Sequence, residues 1–206
     1  MRMRRDAVTE PDAFVPATLE DVRADVFARL GRAVKDRRSA LHTPVIATRG
    51  LDGHMKARVV VLRAFDPEAV TLRFHTDLRS KKIAELEADP QIAFAFYDHQ
   101  ARVQIRAEAT ARIHSDDAVE EAAWTASLQM SRVCYGVIPG PGTPLDDADD
   151  FNLPDDDTAI AAGRAFFSAV LCRIEALEYL FLRHAGHRRA RFTRTAEGWS
   201  GQWLMP

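Results

Sequence analysis

The stretch 56-KARVVVLRAFDPEAVTLRFHTDLRSKK-82 decides the fold. Arg58 precedes the apolar run Val59-Val60-Val61-Leu62, and Arg63 closes it. Asp66-Pro67-Glu68 makes a turn. Val70 to Phe74 follows, then His75-Thr76 and Ser80-Lys81-Lys82. β-Branched and aromatic residues bounded by turn formers predict strands over about 56–65 and 70–76. Leu78, Ile83 and Leu86 predict a helix over 78–88, ended by Asp89-Pro90. Cations and hydroxyls stand at the ends of these runs. A fold that gathers Arg58, Thr76, Ser80, Lys81 and Lys82 would hold a phosphate. Arg offers a fork of donors, Lys a point charge, and hydroxyls and helix-start amides cover the remaining oxygens.

Working outward, Thr18 and Asp21 can cap a helix over 19–35. Leu19, Val22, Val26, Phe27, Leu30 and Val34 form its apolar stripe. Pro11 and Pro16 predict a loose arm over 1–17. A strand over 44–49 meets the next one through a hairpin at Asp52-Gly53. Downstream, 91–97 and 102–114 read as strands, with Val103 and Ile105 on one face and Gln104 and Arg106 on the other. Ser115-Asp116-Asp117 starts a helix over 116–128, and 129–138 has no clear period. Residues 139–157 form a long loop with two Pro-Gly pairs and seven Asp. Strands are predicted over 166–173, 177–183, 188–195 and 198–204. Short strands at regular spacing with helices at the edges give a mainly β (α+β) fold, an antiparallel barrel in one domain over 1–206.

Composition excludes several classes. The net charge of −2 argues against a nucleic-acid module. No apolar run is long enough to span a bilayer, and no apolar core follows the basic start, so neither a membrane nor secretion is expected and the cytoplasm is. Cys134 and Cys172 lack a metal-type spacing and read as buried free thiols. The Asp-rich loop lacks the alternating ligands and the Gly of a calcium loop, so no metal is expected.

Several blocks resemble the pyridoxamine 5′-phosphate oxidase-like flavoproteins, which bind FMN in a split β-barrel. Arg58-Val59-Val60-Val61-Leu62-Arg63 resembles "R-x-V-L-L-K". Phe74 to Lys82 resembles "F-Y-T-N-x-x-S-R-K", and Gln104 to Glu108 resembles "Q-V-R-V-E-G". Ser127-Leu128-Gln129-Met130-Ser131 resembles "S-x-Q-S-S". Arg191-Phe192 and the closing Trp199 to Pro206 resemble "R-F" and "W-x-x-x-R-L-x-P". The resemblance implies a split barrel with FMN as cofactor. Arg58, Lys81 and Lys82 would hold its phosphate, with Thr76 and Ser80 nearby. The backbone from Val59 through Leu62 to Arg63 would run beside the ring, with His75 packed close, and Gln104 would bond the ring's polar edge. Gln129, with Met130, and Arg191 would reach the cofactor from the partner subunit of a homodimer.

The chain also departs from the oxidase pattern. Glu121 to Ala126 carries none of the Arg and Tyr that grip the oxidase's substrate phosphate. The oxidase's "R-x-H-D-R-F" is His187-Arg188-Arg189-Ala190-Arg191-Phe192 here. His187 and Arg189 are the candidate substrate contacts. The resemblance therefore implies an FMN-dependent oxidoreductase acting by hydride transfer on a small molecule, without vitamin B6 specificity. The alternative is a flavin-binding or sensing module, or a relative that binds haem or a deazaflavin.

Overall fold

The alternating stretch after Pro90 forms the middle of the sheet. In the computed structural model, which describes residues 15–206, β5 (Gln91–Asp98) pairs antiparallel with β6 (Val103–His114). Ile92, Phe94, Phe96, Val103 and Ile105 are buried in the core, while Ala93, Ala95, Tyr97 and Arg106 are exposed on the opposite face. Beyond β5 lie β1 (Val45–Arg49) and then β2 (Met55–Val59). On the other side, β6 pairs along its length with β7 (Phe167–Phe181). The far edge of β7 is shared. Its first half takes β4 (Thr71–Asp77), followed by β3 (Leu62–Asp66). Its second half takes β8 (Arg188–Thr195), followed by β9 (Gly198–Leu204). Among the described residues this is one antiparallel sheet of nine strands, a mainly β fold with peripheral helices whose sheet does not close.

Three expected strands are cut differently. The run expected over 56–65 is two strands, because β2 and β3 belong to opposite ends of the strand order. Val60-Val61 carries the chain from one edge to the other, and the Val60 amide donates to the Pro44 carbonyl at 3.0 Å. Conversely, the strands expected over 166–173 and 177–183 are the single β7. Arg173 and Glu175 mimic a turn in the sequence but belong to a bulged stretch of one strand. Ile174 opposes Ala109 and Ala176 opposes Glu108, which leaves Glu175 as the extra residue. The bulge switches faces: Val170, Cys172 and Ile174 enter the core before it, Leu177, Tyr179 and Phe181 after it.

Helix α1 (Leu19–Lys35) starts as the sequence implies. The Thr18 Oγ1 accepts from the Asp21 amide at 3.1 Å, and the Thr18 amide donates to Asp21 Oδ2 at 2.8 Å. Its buried face (Val22, Val26, Leu30, Ala33) belongs to the main core. Phe27 meets Phe65 edge-on at 5.2 Å, and the Tyr179 hydroxyl donates to Asp25 at 3.1 Å. Of the loose arm expected over 1–17, residues 1–14 lie outside the described residues. Residues 15–17 are docked instead: Pro16 is buried, and its carbonyl accepts from Arg188 at 2.8 Å.

Helix α2 (Lys81–Ala88) begins three residues later than expected. Asp77 accepts from the Arg79 amide at 2.8 Å, which holds residues 77–80 in a turn with Ser80 as N-cap. Helix α3 (Ala118–Thr125) also starts late, since Asp116 is in the left-handed region and Asp117 does the capping. The unassigned residues 129–138 contain α4 (Gln129–Arg132) and a 3-10 turn at Val133–Tyr135. The long loop is pinned by a bridge between Ile138 and Asn152 and leads into α5 (Asp157–Ala162). Trp124, Tyr135 and Phe167 pack edge to face as a second, smaller core outside the barrel. Gly163 is required there: a Cβ on it would sit 2.6 Å from the Gly136 nitrogen. Arg79 fastens this annex to β4. It pairs with Asp77, donates to the carbonyls of Tyr135 and Val137, and stacks on Phe166 at 3.9 Å. Cys172 is buried as expected, but Cys134 is exposed, because it falls on the open side of the 3-10 turn. Among the described residues no helix is long and apolar enough to cross a membrane.

Candidate functional site

The sequence placed a phosphate cradle at Arg58, Thr76, Ser80, Lys81 and Lys82. The structure brings four of these five together where α2 meets the inner face of β1, β2 and β4. Lys82 Nζ donates to Thr76 Oγ1 at 2.9 Å, and Thr76 Oγ1 lies 3.3 Å from Ser80 Oγ. Arg58 donates to Glu85 Oε2 at 2.5 Å and to Thr48 Oγ1, which itself donates to the same Glu85 oxygen at 2.6 Å. Burial first, and the Arg58 charge second, hold the Lys82 ammonium below the ordinary Lys range. Lys81 is turned away. It is exposed, with its Cε near Gly142 of the long loop.

Glu85 was not singled out in the sequence. Burial pushes its pKa up, but the hydrogen bonds from Thr48 and Arg58 and the Arg58 charge outweigh that and hold it below the ordinary Glu range. A signal existed. Lys82, Glu85 and Leu86 fall at i, i+3 and i+4, and Leu86 is buried, so Glu85 sits on the buried side of a short amphipathic helix.

The arrangement fits a phosphate. The guanidinium carries five N–H donors, and its contacts to Glu85, Thr48 and the Lys56 carbonyl leave two. Ser80 makes no side-chain cap bond, and no acidic residue stands in the first turn of α2. That helix start therefore keeps a hydroxyl and its positive end for an oxyanion. Val59 is exposed on the outer face, Val60 is buried, and Leu62 is in the core.

The other expected residues stand apart from this network. Gln104 lies on the outer face of β6, between Tyr97 and Leu180 in register. Arg191 pairs with Glu108 at 2.9 Å, and Arg189 and Arg106 both bind the buried Glu178 at 2.9 Å and 2.8 Å. His187 Nδ1 accepts from the Arg183 amide at 3.0 Å. Gln129 donates to Asp157 at 2.5 Å, and Met130 is exposed. No described contact joins any of these to Arg58 or Lys82.

His75 and Arg63 border a cleft of about 310 Å3 between the outer face of β3 and β4 and the annex. His75 meets Phe167 edge-on at 4.9 Å. Burial first, then the charges of Arg73 and Arg63, push its pKa down to about 3. The sign for stability follows. In the unfolded chain His75 would bind a proton near its ordinary 6.5, in the folded chain only near 3. The stability it contributes is therefore complete above the unfolded value and lost as the pH falls toward the folded one. His75→Phe keeps a ring against Phe167 and removes the proton site. Denaturant midpoints measured from about pH 7 down to about pH 4 are expected to fall less steeply in the variant. Parallel profiles would contradict the assignment.

Comparison with known proteins places this geometry. The model of the pyridoxamine 5′-phosphate oxidase family matches residues 30–140. The chain belongs to the pyridoxamine 5′-phosphate oxidase family. It is 31% identical over 199 residues to a pyridoxine/pyridoxamine 5′-phosphate oxidase of Gluconobacter oxydans, a match covering 91% of this chain and 98% of that protein. A pyridoxamine 5′-phosphate oxidase-related, FMN-binding protein of Nostoc punctiforme superposes with a TM-score of 0.71 at 21% identity, over 88% of this chain and 96% of its own. PhzG of Burkholderia lata, solved with tetrahydrophenazine-1-carboxylic acid, gives 0.67 at 18% identity over 93% and 94%. The two solved relatives establish the split barrel of this family.

Proposed function

We propose that this family member binds FMN by its phosphate at Arg58, Lys82, Thr76 and Ser80 and works as a flavin-dependent oxidoreductase. The observation that carries this reading is the meeting of Lys82, Thr76 and Ser80 at the uncapped start of α2, near enough to Arg58 for its charge to act on Lys82. The description of the Nostoc relative as FMN-binding supports it. Bound FMN would supply hydride chemistry at its ring. The chain would supply the rest. Arg58 and Lys82 would offset the phosphate charge, and Val60-Val61 would give the ring an apolar wall that excludes water.

The substrate is proposed to be a small molecule other than pyridoxine or pyridoxamine 5′-phosphate. Where the oxidase pattern has its phosphate grip, α3 carries Glu120 and Glu121, both paired with Arg164. The active form is proposed to be a homodimer, in which Gln129 and Arg191 reach the partner's cofactor. An exposed face supports it: Val59, Val45 and Ala95 form one outward cross-strand row, Ala57, Ala47 and Ala93 the next.

The test is spectroscopic. Purified protein should be yellow, with bands near ~375 and ~450 nm, bleach with NAD(P)H and recover in air, while turning over pyridoxine 5′-phosphate poorly. A Soret band would replace this reading with a haem site. Flavin that binds but is never reduced would leave a binding module, and turnover of pyridoxine 5′-phosphate like that of an authentic oxidase would overturn the substrate exclusion.

A further inference from the structure

We propose that Arg79 is a positioning residue that couples the turn before α2 to the strap 139–142 of the long loop, so that an anion held at Ser80 and Lys82 tightens the strap and the docked strap tightens the anion. This coupling rests on the phosphate position proposed above and adds what governs binding there.

One turn serves both partners. Residues 77–80 join β4 to α2, and the Ser80 amide donates to the Asp77 carbonyl at 3.0 Å. Toward the phosphate position, Ser80 Oγ lies 3.3 Å from Thr76 Oγ1, which also accepts from Lys82. Toward the annex runs Arg79. Its Nε and Nη2 donate to the buried Asp77 carboxylate at 3.0 Å and 2.6 Å. Nη2 also donates to the Tyr135 carbonyl at 3.0 Å, and Nη1 to the Val137 carbonyl at 3.1 Å. These bonds occupy four of the five guanidinium N–H groups, and the flat face lies on Phe166. Arg79 is therefore no phosphate ligand. It is a brace between the turn that carries Ser80 and the backbone that leads into the loop.

The two Pro-Gly pairs of the loop find their use here. A Cβ on Gly140 would stand 3.0 Å from Arg79 Cδ and Nε, so glycine lets the strap lie against the Arg79 stem. Gly142 has a φ of 82°, and a Cβ on it would be 3.9 Å from Lys81 Cε. The strap thus rests on residues 79–81, beside the groups proposed to hold the phosphate. Beyond it, residues 141–153 are exposed, and Asp146, Asp147, Asp149 and Asp150 repel one another. Such a segment opens at low free-energy cost, within the range that a ligand can shift. Ser80 makes no side-chain cap bond, so an oxyanion on its hydroxyl adds a restraint to the turn. Arg79 carries that restraint to Tyr135, Val137 and the strap. By linkage, whatever the strap gains from the ligand, the ligand gains from the strap.

The test is amide hydrogen exchange over residues 137–153 of the full chain, with and without FMN. FMN should slow exchange there about ten-fold in the wild type. Arg79→Met with Asp77→Asn removes the brace without stranding a buried carboxylate, and the Asn keeps an acceptor for the amide at position 79. In this double variant FMN should no longer slow the strap and should bind about ten-fold more weakly. Gly140→Val pushes the strap off Arg79, leaves the turn itself intact, and should weaken FMN in the same direction. An Arg79 that merely supports the fold would raise exchange throughout the chain and leave the FMN-dependent slowing of the strap in place. That outcome overturns the coupling. So does a wild-type strap that ignores FMN, or an FMN affinity unchanged in both variants. Should the wild type take up no flavin, the flavin reading fails by itself and inorganic phosphate becomes the probe in the same experiment. Slowing of the strap by phosphate, lost in the double variant, upholds the coupling; no slowing by phosphate overturns it.

Discussion

Arg58→Ala will damage the fold before it tests the cofactor, and Arg58→Ala with Glu85→Gln will separate the two effects. The Arg58 and Glu85 side chains are 24% and 6% exposed, and their pair is closed by Thr48. Removing the guanidinium alone strands a buried carboxylate, at a cost of roughly 3–5 kcal/mol. The pair's stability is also pH-dependent. Because Glu85 is held below its ordinary value, its contribution is complete above the unfolded Glu pKa and disappears as the pH falls through the lowered folded one. Glu85→Gln keeps a group that can bond Thr48 and leaves no charge to strand. The double variant should thus regain most of the stability lost in Arg58→Ala. It should still bind FMN about a hundred-fold more weakly, since charge-assisted bonds to the phosphate are gone. Glu85→Gln alone frees the guanidinium for the phosphate and should bind FMN at least as well as the wild type. Denaturation curves and flavin fluorescence titrations on the three variants measure both quantities. A double variant with wild-type FMN affinity would remove the phosphate from this position.

Much of this network was legible in the chain because each member ends a recognisable run. Arg58 opens an apolar strand, Thr76 closes one, and Ser80 and Lys82 begin a helix. Glu85 was not, since a Glu inside a short helix usually faces water, and only the i, i+3, i+4 relation to Lys82 and Leu86 marks it. Arg73 was hidden by its strand: alternation predicts that one face of β4 points away from the core, but not that a distant annex covers that face. The same limit explains the misread cuts. The run 56–65 is continuous in apolar character, and only its pairing at opposite ends of the sheet breaks it at Val60-Val61. Arg173 and Glu175 have the polarity of a turn, whereas the long pairing of β6 with β7 keeps both in one strand and makes Glu175 the extra residue of a bulge. Local pattern carries hydrophobic period and capping chemistry. It does not carry which distant element lies across from a residue.

Ala95→Asp should split the proposed dimer and take the flavin with it. Ala95 is exposed in the single chain, between Val45 and Arg106 in register, so a carboxylate there meets water and the fold should survive. In the dimer the same position would face the partner. A two-fold contact brings the same patch together from both chains, so it would bury two carboxylates among Val45, Val59 and the alanines, while Arg106 beside each is already paired with Glu178. Association should weaken by about a hundred-fold or more, visible as a halved mass by light scattering. The face invites this reading because its centre is small and apolar while its rim is charged. Val45 and Val59 are 40% and 60% exposed, and Arg106, Glu178, Arg189, Arg191 and Glu108 form a paired border beside them. Flavin loss should follow because Gln129 and Arg191 make no contact with the Arg58 network in their own chain, and on the proposed reading they complete the site of the other. A monomeric Ala95→Asp variant that holds FMN as tightly as the wild type would mean that one chain contains the whole site. A wild-type protein that already runs as a monomer would leave the apolar face without the partner proposed for it.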